Sequence, residues 1–113
     1  MRNTILIPLS LFLSSCSSMS EMRAGAPAAD FHSDKDVNEI SNCILRGWQE
    51  KSQTYGSVFL QDLEEGKSVY SQSQLELADI KQSNDAASIL FYHQGGLFSY
   101  RINNRLDVIK KCI

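Results

Sequence analysis

The chain has 113 residues, of which 42% are hydrophobic and 21% charged, and its formal net charge is −2, from 11 Lys and Arg against 13 Asp and Glu. This length suits one domain and is too short for two. The charge balance argues against nucleic acid as a partner, because contact with phosphates needs clustered positive charge. The apolar content argues against a wholly disordered chain, and no apolar run reaches the roughly 20 residues of a spanning helix.

Residues 1–15 have the order of a secretory signal peptide. A positive charge at Arg2 precedes a mostly apolar stretch over 5–13, and small residues follow. Nine helical residues cover only about 14 Å, which is too short to cross a bilayer. The end of this segment, Leu13-Ser14-Ser15-Cys16, resembles the lipobox of bacterial lipoproteins. The resemblance implies cleavage before Cys16, acylation of its thiol, and the membrane as a partner through the acyl chains.

Residue 17 follows the expected lipidation site. In lipoproteins of this type an Asp at this position retains the protein in the inner membrane, so Ser17 implies sorting to the outer membrane, on its periplasmic side. Residues 16–32 are rich in small residues with one Gly and one Pro, which is typical of a linker. We therefore predict an acylated flexible tether over 16–32, with a root-mean-square reach of roughly 20–24 Å, and an ordered domain over 33–113.

The domain begins with a predicted helix over 34–52. Ser33 precedes it as a candidate N-cap. An apolar stripe of three- and four-residue steps then favours an amphipathic helix, with Val37, Ile40, Ile44 and Trp48 on one face. Gly47 lowers helix propensity by about 1 kcal/mol relative to Ala, which suggests that the helix packs closely on a sheet at this point.

Short runs rich in Val, Ile, Phe and Tyr follow, at 57–63, 68–71, 75–81, 87–93 and 97–102. Gly95-Gly96 is a strong signal for a two-residue hairpin turn. The breaks are too short for crossover helices, so the strands should be antiparallel. A short helix is predicted over 105–113. The fold class is thus α+β: an N-terminal helix, a four- to five-stranded antiparallel meander and a short C-terminal helix.

If Cys16 is acylated, Cys43 and Cys112 remain in an oxidising compartment and should form a disulfide. It would join the two helices and close a loop of about 70 residues, worth roughly 4 kcal/mol in the loop-entropy model. Zinc binding, redox chemistry and nucleophilic catalysis are weaker explanations for the two cysteines. A zinc site needs about four ligands, a redox pair is usually Cys-x-x-Cys, and a catalytic thiol needs a nearby histidine. We expect no metal and no cofactor.

The sequence offers little for catalysis. His93 has no recognisable nucleophile motif beside it, and the acidic residues are interpreted as solvated side chains of a hairpin tip and a strand face: Glu64, Glu65, Glu76 and Asp79. We therefore expect no enzyme. A sheet face carrying Tyr92, or Phe98 with Tyr100, is the candidate partner-binding surface, because exposed aromatic residues are common interface anchors.

The domain resembles small proteobacterial lipoproteins of no assigned activity, in its residues Cys43, Trp48, Gly95, Gly96 and Cys112. The expected function is that of a lipid-anchored envelope lipoprotein with a non-catalytic binding or accessory role in the periplasm, where the candidate partner is a periplasmic protein. One alternative is an inhibitor or immunity lipoprotein against a wall-degrading enzyme or toxin, whose basic surface the acidic charge would suit. A small periplasmic hydrolase is the other alternative.

Overall fold

The computed structural model describes residues 18–113; the predicted signal peptide, Cys16 and Ser17 lie outside the described residues. The helices are α1 (Met19–Ala24), α2 (Val37–Gln49), α3 (Ser52–Tyr55) and α4 (Ser99–Cys112). The strands are β1 (Ala29–Ser33), β2 (Val58–Leu63), β3 (Gly66–Ser71), β4 (Glu76–Ser83) and β5 (Ala86–His93), with a 3₁₀ turn at Gln72–Gln74.

The strands form one antiparallel sheet in the order β1-β5-β4-β3-β2. The α+β class and the antiparallel sheet are confirmed. Strands β2 to β5 are the predicted meander, in which each strand pairs with the next along the chain. The central strand of the five is β4, while β1 and β2 are the edges.

One face of the sheet packs against α2 and α4 to form the hydrophobic core. Side chains alternate between the two faces of a strand, so Ala78 and Ile80 of β4 lie on this face together with Ile89 and Phe91 of β5. The predicted stripe of α2 is buried against them: Val37, Ile40, Ile44 and Trp48. The ring of Trp48 meets Phe91 edge-on at 6.2 Å between centroids, an orientation that aromatic pairs favour.

Helix α2 begins later than predicted, and with a different cap. Asp36 is the N-cap, and its carboxylate accepts hydrogen bonds from the backbone N–H groups of Asn38 and Glu39 at 2.9 and 3.4 Å. Ser33 is instead the last residue of β1, where its Oγ accepts from the backbone N–H of Lys35. The acidic cap satisfies free N–H groups at the positive end of the helix dipole.

The prediction of a flexible tether over 16–32 is wrong for its described part. Residues 19–24 form α1, and a capping box between Ser18 and Glu21 caps its N-terminus. Residues 29–33 form β1, in which Ala29 pairs with Phe91 and Phe31 with Ile89. The backbone groups of this segment find partners along the free edge of β5, so a composition typical of a linker is ordered by pairing with the sheet.

The predicted strand over 97–102 and the hairpin at Gly95-Gly96 are also wrong. Gly96 has a φ of +81° and belongs to a turn that leads from β5 towards α4, which starts at Ser99 rather than Arg105. Ile102, Leu106 and Ile109 lie at helical spacing and contact the core from α4. This burial outweighs the strand propensity of residues 97–102.

Gly47 allows α2 and α4 to approach closely. A Cβ atom at this position would lie 2.5 Å from Cγ1 of Val108, far inside van der Waals contact. Close packing at Gly47 was expected against the sheet, whereas the neighbour is α4. The absence of a side chain therefore sets the distance between the two helices.

We predict that Gly47→Ala destabilises the protein by about 1–2 kcal/mol, because overpacking against Val108 outweighs the gain in helix propensity. In a Val108→Ala background the same substitution should be neutral or stabilising. Urea unfolding of the four proteins measures both effects. Stabilisation by Gly47→Ala alone would contradict the close contact between α2 and α4.

Candidate functional site

The disulfide between Cys43 and Cys112 is present, as predicted. It joins α2 to the C-terminal end of α4 with 5.7 Å between the Cα atoms and spans 69 residues of sequence. Cys112 is buried and Cys43 packs against the core. Both thiols are thus used in holding the two helices together, and the loop they close is long enough to stabilise the fold by roughly 4 kcal/mol in the loop-entropy model.

The predicted aromatic face is not one surface. Tyr92 is only 7% exposed and lies within the sheet on β5, whereas Phe98 and Tyr100 lie at the start of α4. The prediction placed all three on strands, and it failed because residues 97–102 do not form one. Phe98 and Tyr100 are 68% and 62% exposed and stack on each other, with ring centroids 5.3 Å apart and planes within 8°.

This exposed aromatic pair is held by the start of a helix. The carbonyl of Phe98 accepts hydrogen bonds from the backbone N–H groups of Arg101 and Ile102 at 3.1 and 3.2 Å. The side chain of Arg101, in the first turn, points inward and is bonded to β4. The pair therefore projects from an anchored position, which reduces the entropy lost when an aromatic side chain is immobilised in an interface.

A second aromatic pair lies on the edge strand β2 and was missed by the sequence analysis. Phe59 is 44% exposed and contacts Tyr70 of β3, its register partner, with 5.4 Å between the ring centroids and the ring planes tilted by 31°. Cross-strand aromatic pairs of this kind stabilise a sheet. Both residues lie on strands that the sequence predicts. The sequence does not give the register that places the two rings opposite each other.

The acidic residues divide into two classes. Glu64 and Glu65 are exposed in the turn between β2 and β3, as predicted for a hairpin tip. Glu76 and Asp79 of β4 are fully buried, so their interpretation as solvated acids is wrong. They are three residues apart on one strand and therefore lie on opposite faces of the sheet.

Glu76 is the centre of a buried ionic cluster on the core side. Arg101 bonds both of its carboxylate oxygens, with 2.8 Å from Nη2 to Oε1. Arg105 donates Nε to Oε1 at 3.2 Å, and the Ser71 hydroxyl donates to the same oxygen at 2.6 Å. Buried carboxylates need this kind of pairing, since an isolated charge in the interior is very costly.

The cluster holds two guanidinium groups and one carboxylate, so it has an excess positive charge. The guanidinium groups lie over the faces of aromatic rings, which attract cations. The guanidinium carbon of Arg105 lies 4.8 Å from the Trp48 ring centroid and 5.3 Å from that of Tyr55, and Arg101 lies 5.0 Å from Tyr55. Cation–π contacts of this kind stabilise a desolvated cation. Trp48 and Arg105 also exchange hydrogen bonds at 3.2 Å, each donating to the other's backbone carbonyl.

The pKa values within the cluster follow from burial and charge. Burial raises the pKa of Glu76, but hydrogen bonds from Arg101 and Ser71 and the charges of both arginines outweigh it, so the pKa lies below its ordinary value. Burial lowers the pKa of Arg105, against the opposing effect of Glu76. Glu76 is thus held ionised and out of contact with solvent.

Asp79 is satisfied from the other side of the sheet. Arg23 of α1 donates Nε to Oδ2 at 2.7 Å and Nη2 to Oδ1 at 2.9 Å, and its Nη2 also lies 2.8 Å from the Ser68 hydroxyl. Ser68 is the register partner of Asp79 and donates to Oδ1 at 2.5 Å. The hydrogen bond to Asp79 raises the pKa of Arg23, although burial opposes it.

The histidines do not join these clusters. His93 is half-buried, with Nδ1 2.8 Å from the carbonyl oxygen of Gln94 and its ring beside Phe91. His32 is exposed on β1, near Asp30. Within residues 18–113, no group of three or more His, Cys, Asp or Glu side chains is arranged to hold a metal ion. None of the helices in this range is long and apolar enough to cross a membrane.

No protein-family model, no curated protein and no solved structure matches this chain. The resemblance of the domain to small lipoproteins therefore stays a prediction. The features that bear on function are those of the molecule itself: an exposed aromatic pair at the start of α4, and two buried carboxylates whose lone pairs are taken up by arginine and serine.

We predict that Glu76→Gln lowers the free energy of unfolding by about 3–5 kcal/mol at neutral pH, because it leaves the buried Arg105 and the largely buried Arg101 without a counter-charge. Since the folded-state pKa of Glu76 is lowered, its stabilisation is complete above its ordinary pKa near 4.5 and is lost as the pH falls through the folded value. The difference in the free energy of unfolding between wild type and Glu76→Gln should therefore decrease when urea unfolding is repeated at pH values from 7 to 3. The exposed turn variant Glu64→Gln is the control, with an expected effect within about 0.5 kcal/mol, and a gap that stays constant down to pH 3 would contradict the ionic role of Glu76.

Proposed function

We propose that this protein is a lipid-anchored lipoprotein of the bacterial envelope, with a non-catalytic binding role on the periplasmic side of the outer membrane. The observation that carries the binding role is the stacked, exposed pair Phe98 and Tyr100 at the start of an anchored helix. Aromatic residues are enriched in protein interfaces, and Tyr is one of the residues enriched among those that dominate binding energy.

The proposed location rests on the cysteines. The sequence has three, and the disulfide uses Cys43 and Cys112, so Cys16 in Leu13-Ser14-Ser15-Cys16 remains for acylation. A structural disulfide is typical of proteins in an oxidising compartment such as the periplasm. Acylation would concentrate the binding surface near the membrane, which raises its effective concentration towards partners there.

The proposed absence of catalysis rests on the state of the acidic residues. Glu76 is fully buried beneath two arginines, and both oxygens of Asp79 accept hydrogen bonds from Arg23. A general acid or base must reach a substrate proton within hydrogen-bond distance. Carboxylates whose oxygens are already engaged by guanidinium groups are better suited to holding the fold than to proton transfer.

Two substitutions separate anchoring from binding. Cys16→Ser should abolish lipid labelling and release the protein from the membrane fraction, because the acyl chains supply the anchor. Phe98→Ala combined with Tyr100→Ala should leave membrane fractionation unchanged and weaken capture of the envelope partner by at least about tenfold, since interface aromatics commonly contribute more than 1.4 kcal/mol.

The matched control for the aromatic pair is Leu60→Ala, which removes an exposed apolar side chain elsewhere on the domain. It should leave capture by the Phe98–Tyr100 surface unchanged, as monitored by cross-linking to isolated envelopes and mass spectrometry. Continued membrane partitioning of Cys16→Ser would contradict the anchor. Equal capture by wild type and the double alanine variant would contradict the binding surface.

A further inference from the structure

The sheet face opposite the core holds the guanidinium group of Arg23 in a buried polar site. Asp79 and Ser68 are fully buried on this face, on the central strand and its neighbour, with Leu77 and Tyr92 buried beside them. The Ser68 hydroxyl fixes one carboxylate oxygen by donating to it. Among the described residues, Arg23 is the cation that pairs with Asp79, and it uses the bidentate geometry for which guanidinium groups are suited.

The arginine in this site belongs to a peripheral segment. Helix α1 has six residues, none of which is buried, and the Arg23 side chain is 26% exposed. A helix this short is not stable by itself in water. Met19, Met22 and Arg23 of α1 are partly buried and none is fully buried, so the hydrogen bonds of Arg23 to Asp79 and Ser68 are the polar part of its attachment. The acceptor is thus part of the sheet, while the donor is on a short helix at the surface.

We propose that Asp79 and Ser68 form a binding site for an arginine side chain of a partner protein, and that Arg23 occupies this site in the free molecule. The inference deepens the proposed binding role by naming the chemistry of the partner. Lysine would fit less well, because its single ammonium group cannot bond both carboxylate oxygens and the serine in the same planar arrangement.

The surroundings of the site indicate what else the partner contacts. Tyr92, Leu77, Tyr70 and Phe59 follow one another across four strands as register partners. This row runs from the buried centre of the face to the exposed ring of Phe59 at the β2 edge. A segment that places an arginine at Asp79 would therefore have apolar surface beside it, which suits a partner with an apolar residue next to the arginine.

Binding at this site is in competition with α1. A partner encounters an open site only in the fraction of molecules in which Arg23 has left Asp79, so its apparent affinity is reduced by that fraction. Removal of the Arg23 side chain should therefore increase the affinity for an external arginine. A higher affinity in Arg23→Ala would show that the contact of Arg23 with Asp79 can be displaced, whereas a permanent ion pair would give no such increase.

The test compares the purified full chain with its Arg23→Ala variant by NMR, with N-acetylarginine amide as the probe and N-acetyllysine amide as the matched control. In Arg23→Ala, the arginine probe should produce saturable shifts at the amides of Ser68, Leu77 and Asp79. The probe concentration needed for saturation should be about tenfold lower than in wild type. This is the factor expected if wild-type molecules with Arg23 bound to Asp79 outnumber those with Arg23 released by about ten to one. The lysine probe should produce much smaller shifts, and the shifts should vanish in Arg23→Ala with Asp79→Asn.

The proposal is overturned if folded Arg23→Ala shows no local shifts, or if lysine acts as well as arginine. Arg23→Lys is the second variant, which keeps a cation near Asp79 without the bidentate bond and should also take up the arginine probe. Loss of the fold in both variants would overturn the proposal as well, since Arg23 would then be a permanent part of the structure. The readout does not involve Cys16, Phe98 or Tyr100, so its failure leaves the proposed anchor and aromatic surface standing.

Discussion

Two carboxylates buried on the central strand impose the main constraint on this fold. Glu76 and Asp79 lie on β4, face opposite sides of the sheet, and are both inaccessible to solvent. A buried carboxylate is tolerated only when it is paired and hydrogen-bonded. Each therefore requires an arginine from outside the sheet: Arg101 and Arg105 from α4 on the core side, and Arg23 from α1 on the other.

This requirement explains how the two ends of the described chain are placed. Helix α4 joins the core through the Glu76 cluster, through the reciprocal hydrogen bonds of Trp48 and Arg105, and through the disulfide at its last turn. Helix α1 has the Asp79 contact and no buried side chain. The C-terminal end is thus held by a disulfide and an ionic cluster, which support the start of α4 with Phe98 and Tyr100. The N-terminal end is held by the pairing of β1 with β5 and by the contact of Arg23 with Asp79.

The sequence predicted the parts of this structure that depend on local pattern. The stripe on α2 has helical spacing, and the pairing of Cys43 with Cys112 was predicted from the oxidising compartment that a secretory signal would imply. Glu76 and Asp79 could not be interpreted in this way, because their arginine partners are 25 to 56 residues away along the chain. Strand β1 was missed because its residues carry only a weak apolar signal and are ordered by the edge of β5. The start of α4 was missed because residues 97–102 fit a strand locally, and only their burial against the core favours the helix.

Hydrogen exchange measured residue by residue in Asp79→Asn and Glu76→Gln tests the central claim most directly. If each buried carboxylate holds one terminal helix, Asp79→Asn should increase exchange at Met22 and Gly25, whose N–H groups bond within the α1 segment, and leave α2 and α4 protected. Glu76→Gln should increase exchange in α4 and around Tyr55 before it does so in α1. An equal increase over the whole domain in both variants, or unchanged exchange in α1 without the Asp79 charge, would contradict the account.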